Sequence, residues 1–233
     1  MYTDKRLDIK HNREKIFWLG NIRDARVSDS LAEWVSTFHS NGLSCHFEGL
    51  FFNGSFNLGQ KAVFSDGTAW LVRFPIVGNV CEELADEKVA MEVEALSLLR
   101  EKTTIPVPQV KAWGRAVDNT LGLGPFIILD FIDGVSAGTL LRTDKEARLL
   151  KEDISNYDIE FIYRQFAGIL LQLFKLDFDR IGSLPSPATG FPAPVRPLTF
   201  KVHDILQTGG VDTFGASCFF MVPPAFLHTT FGY

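Results

Sequence analysis

Between two short apolar runs, residues 58–64 and 68–74, the chain reads Ser65-Asp66-Gly67. Glycine reaches positive φ without a steric penalty, and an Asp beside it can bond the backbone just beyond, so this tripeptide predicts a tight hairpin. Residues 46–52 are also strand-like, and Asn53-Gly54-Ser55-Phe56 reads as the turn that follows them. Three consecutive antiparallel strands are therefore expected. The period then changes. Over 82–102, Ala85, Val89, Val93, Leu96 and Leu99 recur at spacings of three and four, the single apolar stripe of a helix. Ile105-Pro106-Val107-Pro108 ends it, because proline pushes its predecessor to extended geometry. Residues 110–113 and 126–132 supply two more strands, the second a buried apolar run closing on an Asp133-Gly134 turn. Five antiparallel strands with one long helix make the region α+β.

The flanks read as helical. Residues 1–27 are charged and weakly patterned apart from Ile16-Phe17-Trp18-Leu19, and 1–44 is expected to be a helical extension. Ser30-Leu31-Ala32-Glu33 has the form of a capping box, predicting a helix through Phe38 that stops at Asn41-Gly42. Beyond residue 134, Thr143-Asp144-Lys145-Glu146 is a second such box. The strongest helical pattern of the chain is 157–176, with Ile159, Ile162, Phe166, Ile169, Leu170 and Leu173 on one side. Residues 183–197 carry five prolines and read as a loop. Residues 213–233 hold no Asp, Glu, Lys or Arg, are rich in Phe and contain Pro223-Pro224, so irregular, aggregation-prone structure is expected there.

Composition narrows the classes. With 23 basic and 28 acidic residues the net charge is -5, which argues against a nucleic-acid partner. At 46% apolar and 22% charged the 233 residues suit a folded globule. Cys45, Cys81 and Cys218 are far apart and predict neither zinc site nor disulfide framework. No apolar leader and no run of about 18 apolar residues is present, so a cytoplasmic protein without a membrane partner is expected. The 21 Phe residues imply a large core, or core-like surface whose partner lies elsewhere.

Five segments in this order carry a family resemblance. They are Asn53-Gly54-Ser55-Phe56-Asn57; Trp70-Leu71-Val72-Arg73-Phe74-Pro75; Glu92-Val93 with Ile105-Pro106-Val107-Pro108 thirteen residues on; the run from Pro125 to Gly134; and Phe178-Asp179-Arg180-Ile181-Gly182-Ser183-Leu184. Over about residues 45–212 the chain resembles the aminoglycoside phosphotransferase family, in its fungal-type branch, within the kinase-like superfamily. The resemblance implies a protein-kinase-like fold: a five-stranded antiparallel amino-terminal lobe with one long helix and a hinge over 45–134, the first helices of an incomplete helical lobe over 135–212, and a divergent tail over 213–233.

The resemblance also implies ATP with magnesium as cofactors and transfer of the γ-phosphate to a hydroxyl of a small molecule. It puts Gly54, Ser55, Phe56 and Asn57 in a turn over the nucleotide phosphates. Arg73 becomes the strand cation facing the α- and β-phosphates, Glu92 the helix carboxylate that holds it, and Asp130, Phe131 and Ile132 the hinge, where adenine is read by backbone groups. Glu94 is a fallback partner on another helix face. The chain departs from the family where chemistry would occur. No His-Gly-Asp-x-x-x-x-Asn is present. His203-Asp204 lacks the glycine, has Gly209 five residues after Asp204 and is expected to be a surface pair; Asp212 precedes Thr213-Phe214-Gly215 and has no metal-binding context. No catalytic residue and no magnesium ligand is therefore assigned, and weak nucleotide binding without family-like turnover is expected. The alternative reading is a non-catalytic, pseudokinase-like module that binds a protein partner, or itself, through exposed apolar surface.

Overall fold

The computed structural model describes residues 2–143, 151–178, 180–192, 200–211 and 220–221. Residues 144–146 of the second box, Asp212 and, apart from 220–221, the uncharged tail lie outside the described residues. Two compact units divide the chain. The first comprises Met1–Leu98, Pro108–Phe131 and Phe178–Tyr233; the second comprises Leu99–Val107 and Ile132–Asp177.

The first unit is built on a five-stranded antiparallel sheet. Its strands are β1 (Cys45–Asn53), β2 (Asn57–Phe64), β3 (Ala69–Pro75), β4 (Val110–Gly114) and β5 (Phe126–Asp130), in the spatial order β1-β2-β3-β5-β4. The β2–β3 hairpin closes as its residues predict. Gly67 sits at φ 87°, its N–H donates to the Phe64 carbonyl at 2.9 Å, and the Asp66 carboxylate accepts the Thr68 N–H at 2.9 Å. β5 lies inside the sheet, between β3 and β4, and residues 126–129 are all buried because both faces of the strand are covered. That explains its unbroken apolar run.

Side chains alternate across the sheet, so each face has its own cover. One face presents Leu58, Ala62, Phe64, Trp70, Val72, Phe74, Phe126 and Ile128 to Trp18, Ile22, Leu31, Trp34 and Val35. These last come from α1 (Tyr2–Val27) and α2 (Ser30–Ser36). The weakly patterned N-terminus is thus a single long helix, pinned where Trp18 Nε1 donates to the Leu123 carbonyl at 2.9 Å. The opposite face presents Ile127 and Leu129 to Val89 and Val93 of α3 (Glu82–Lys102). Each fully buried aliphatic side chain contributes roughly 1.5–3 kcal/mol, so the two faces hold the sheet from both sides.

Three local expectations fail for definable reasons. Ser30 is not a cap. Only Ser28 and Asp29 separate α1 from α2, so Asp29 takes the left-handed conformation at φ 59° and Ser30 already belongs to the helix. Its hydroxyl reaches back to the Ala25 carbonyl instead, at 3.2 Å, and α2 ends at Ser36 rather than Phe38. The strand over 126–132 stops at Asp130, and no turn forms at Asp133-Gly134, because the chain proceeds to a helix instead of a returning strand. His203 is no surface residue. On α6 (Phe200–Gly209) it is 2% exposed, and its Nδ1 accepts the Cys81 N–H at 3.3 Å, while Val202 packs with Cys81 and Leu84.

In the second unit, α4 (Ala137–Leu141) precedes α5 (Asn156–Phe174). The hydroxyl of Ser155 accepts the Asp158 N–H at 3.0 Å, satisfying one orphan donor at the start of α5. Gln172 Oε1 accepts from the Thr104 N–H at 2.7 Å and from its hydroxyl at 3.0 Å. No residue of α5 is buried; Phe161, Phe166, Leu170 and Leu171 are about half exposed or more. A two-residue pairing of β6 (Arg180–Ile181) with β7 (Phe220–Met221) completes the described elements of the chain. Among the described residues no helix is long and apolar enough to cross a membrane.

Candidate functional site

Arg73 projects from β3 on the face that α3 covers. Gly59 stands opposite it on β2 and Ile127 on β5. The absence of a side chain at Gly59 leaves room for the stem of Arg73; a Cβ there would lie 3.5 Å from Arg73 Cγ and 3.1 Å from Leu71 Cδ1. The guanidinium Nη2 then meets Glu92 Oε1 at 2.8 Å. Both side chains are about one quarter exposed. The expected pairing of strand cation with helix carboxylate is therefore present, and this partly desolvated geometry sets it apart from a solvent-screened surface pair.

A second cation joins them. Lys88, one turn before Glu92 on α3, places Nζ 3.6 Å from Glu92 Oε2 and donates to Asn57 Oδ1 at 3.0 Å. Its side chain is only 13% exposed. Desolvation by burial pushes its pKa below the ordinary lysine value; Glu92 partly restores it, and Arg73 lowers it further. Sequence reasoning missed Lys88. The available signal was its position four residues before Glu92 on a predicted helix, where oppositely charged side chains face each other.

The turn that leads into Asn57 is tied down at several points. Gly54 N–H donates to the Asn57 carbonyl at 3.0 Å, and a Cβ on Gly54 would lie 3.2 Å from that oxygen. Asn79 Nδ2 donates to the Ser55 carbonyl at 2.5 Å, and Ile76 N–H to the Phe56 carbonyl at 2.9 Å. Gly54 N–H is thus committed within the turn. The connection from turn to helix runs through the Asn57 side chain and Lys88.

Asp130 and Phe131 stand at the far end of the same strands. Trp70 is opposite Asp130, three residues along from the Arg73–Ile127 pair, or about 10 Å at the usual strand rise. Asp130 N–H donates to the Gln109 carbonyl and Phe131 N–H to the Ala69 carbonyl, each at 3.0 Å. The Asp130 carboxylate pairs with Lys111 Nζ at 2.9 Å. Lys61 Nζ lies 5.0 Å from the centre of the Phe131 ring, whose neighbour Phe52 is 5.9 Å away. Ile132 is exposed, past the end of β5 and at the start of the second unit.

Glu94 has a different task. It is 3% exposed, and its carboxylate accepts the Thr189 N–H at 2.6 Å, the Thr189 hydroxyl at 2.7 Å and the Ala188 N–H at 3.2 Å. It anchors the turn that ends at Gly190, where φ is 64°. It is no partner for Arg73.

Among the described residues no group of three or more His, Cys, Asp or Glu side chains is placed to hold a metal ion. Charge available to a bound anion in this cluster comes from Arg73 and Lys88. No protein-family model, no curated protein and no solved structure matches the chain.

Proposed function

We propose that this chain binds the phosphates of a nucleotide on the α3 face of its sheet, as the phosphate-holding part of a small-molecule kinase of the aminoglycoside phosphotransferase type. The observation that carries the reading is the Arg73–Glu92 pair at 2.8 Å, joining the third strand to the long helix. A guanidinium held by a carboxylate keeps its direction while retaining donors for phosphate oxygens. The separation of about 10 Å between Arg73 and the end of β5 suits a ligand with phosphates at one end and a base at the other. With the Asp130 and Phe131 N–H groups committed, base reading at this end of the sheet falls to the Asp130 carbonyl.

Turnover is a separate matter. Transfer needs a carboxylate beside the attacking hydroxyl. The one His-Asp pair of the sequence has its histidine buried against Cys81. ATP should bind without being consumed. Calorimetric titration with ATP, beside an ADP-release assay with aminoglycosides, choline and small alcohols, tests both parts. Binding that Arg73→Ala abolishes, with no ADP released, supports the reading. No binding by the unsubstituted chain overturns it. ADP release overturns the inactive assignment, with Asp204 and Asp212 the first candidates for the missing carboxylate.

One observation favours the non-catalytic alternative, a protein-interaction module: the apolar side of α5 is exposed. A melting temperature unmoved by ATP with magnesium would favour it over the kinase reading.

A further inference from the structure

We infer that Lys88 is a second phosphate-binding side chain, which exchanges its bond to the Asn57 amide oxygen for one to a phosphate oxygen of a nucleoside di- or triphosphate. The inference rests on the proposed nucleotide site and assigns its ligand class. Two cations, Arg73 and Lys88, face opposite oxygens of the single Glu92 carboxylate. The cluster therefore carries one unbalanced positive charge. Lys88 is too enclosed for water to screen that charge fully, and an exposed i,i+4 pair would have no such consequence. A bound anion supplies the missing counter-charge.

Geometry sets the class of anion. Asn57 lies two residues along β2 from Gly59, the residue opposite Arg73. At the strand rise the residue that holds Lys88 and the residue opposite Arg73 are therefore about 7 Å apart along β2. A chain of two or three phosphates spans such a displacement better than one. An ammonium carries three donors, so Lys88 can keep Glu92 and still turn one N–H to a ligand. Breaking the bond to Asn57 Oδ1 costs little, because that turn is held independently by Asn79 and Ile76.

The test uses the full chain, in buffer with a metal chelator, titrated with ATP, ADP, AMP and inorganic tripolyphosphate. Lys88→Gln should weaken ATP, ADP and tripolyphosphate by about tenfold or more, as loss of a charge-assisted hydrogen bond does, and change AMP by less than about threefold. Lys88→Arg should recover most of the loss. A second measurement needs no variant: amine labelling of the unsubstituted protein, read by mass spectrometry, should find Lys88 protected by ATP and tripolyphosphate and not by AMP. If Lys88→Gln binds ATP as tightly as the unsubstituted chain while Arg73→Gln does not, or if labelling of Lys88 is indifferent to ATP, Lys88 is structural and the inference fails with the nucleotide site intact. If the unsubstituted chain binds none of the four ligands, the nucleotide site itself is wrong.

Discussion

Helices α3 and α5 have comparable length and teach opposite lessons. α5 has the cleaner pattern: apolar residues on one side, charged pairs such as Glu160–Arg164 on another. Yet it buries nothing. α3 carries more charge along its length and buries Leu84, Ala85, Val89, Ala90 and Val93, with Glu87 and Glu94 enclosed beside them. Periodicity reports which side of a helix is fit for burial. Whether that side is covered depends on what the rest of the chain brings to it. For α3 the chain brings the sheet.

Substitutions on the two stripes should therefore differ widely, and this is the largest effect expected. Val93→Asp puts an unpaired charge among Ile127, Leu129 and Val89 and should cost about 3–5 kcal/mol, enough to unfold a marginal domain. Phe166→Asp sits at a position 57% exposed and should cost less than about 0.5 kcal/mol. Urea unfolding followed by circular dichroism compares them. Equal losses would mean that α5 is covered in solution, and the contrast between the helices would collapse.

The same contrast explains what could be read from the sequence and what could not. The hairpin was legible because its determinants, Asp66 and Gly67, are adjacent in sequence. The extent of α3 was legible because its stripe and the prolines after it are local. The Arg73–Glu92 pair could be anticipated from the order of elements and the family resemblance. Its neighbour Lys88 was legible only in its place four residues before Glu92, and its bond to Asn57 was not, that residue lying 31 positions away in sequence. His203 was misplaced for the same reason, its partner Cys81 lying 122 residues back. Ser30 shows the reverse error: a correct local motif overridden by the two-residue connection from α1.

The charged residues enclosed on α3 permit a finer cut. Glu94→Ala leaves the N–H groups of Ala188 and Thr189 without their carboxylate and should destabilise the chain by about 2–3 kcal/mol, less than Val93→Asp. Its signature is local: limited proteolysis should cut within 186–192 before the sheet opens. Cleavage elsewhere first would show that the turn is held by something other than Glu94. A smaller loss, about 1 kcal/mol, is expected for Trp18→Phe, which keeps the packing on the opposite face of the sheet and removes the bond to the Leu123 carbonyl. Chemical denaturation with the same analysis orders these three variants.

The last prediction turns on the sign of one titration, and its effect is the smallest. Burial depresses the pKa of Lys88 below its ordinary 10.5. Between the depressed value and 10.5 the unfolded chain holds a proton there that the folded chain has released, so the Lys88 contribution to stability rises with pH across that window. Below the window both states are protonated and the full cost of a charged, enclosed lysine is paid. The thiols work against this. Burial raises Cys45 and Cys81 above 9.0, so in the alkaline range the folded chain retains protons that the unfolded chain loses, and stability falls. The raw stability curve of the protein therefore mixes two opposed slopes. The difference between the unsubstituted chain and Lys88→Met cancels the thiols and isolates the lysine. Lys88→Met should show its greatest advantage, or smallest loss, at neutral pH and lose ground steadily as pH climbs toward 10.5. Parallel curves for the two proteins would mean that Lys88 is as well solvated when folded as when unfolded, and that the enclosure distinguishing α3 from α5 does not extend to its charged face.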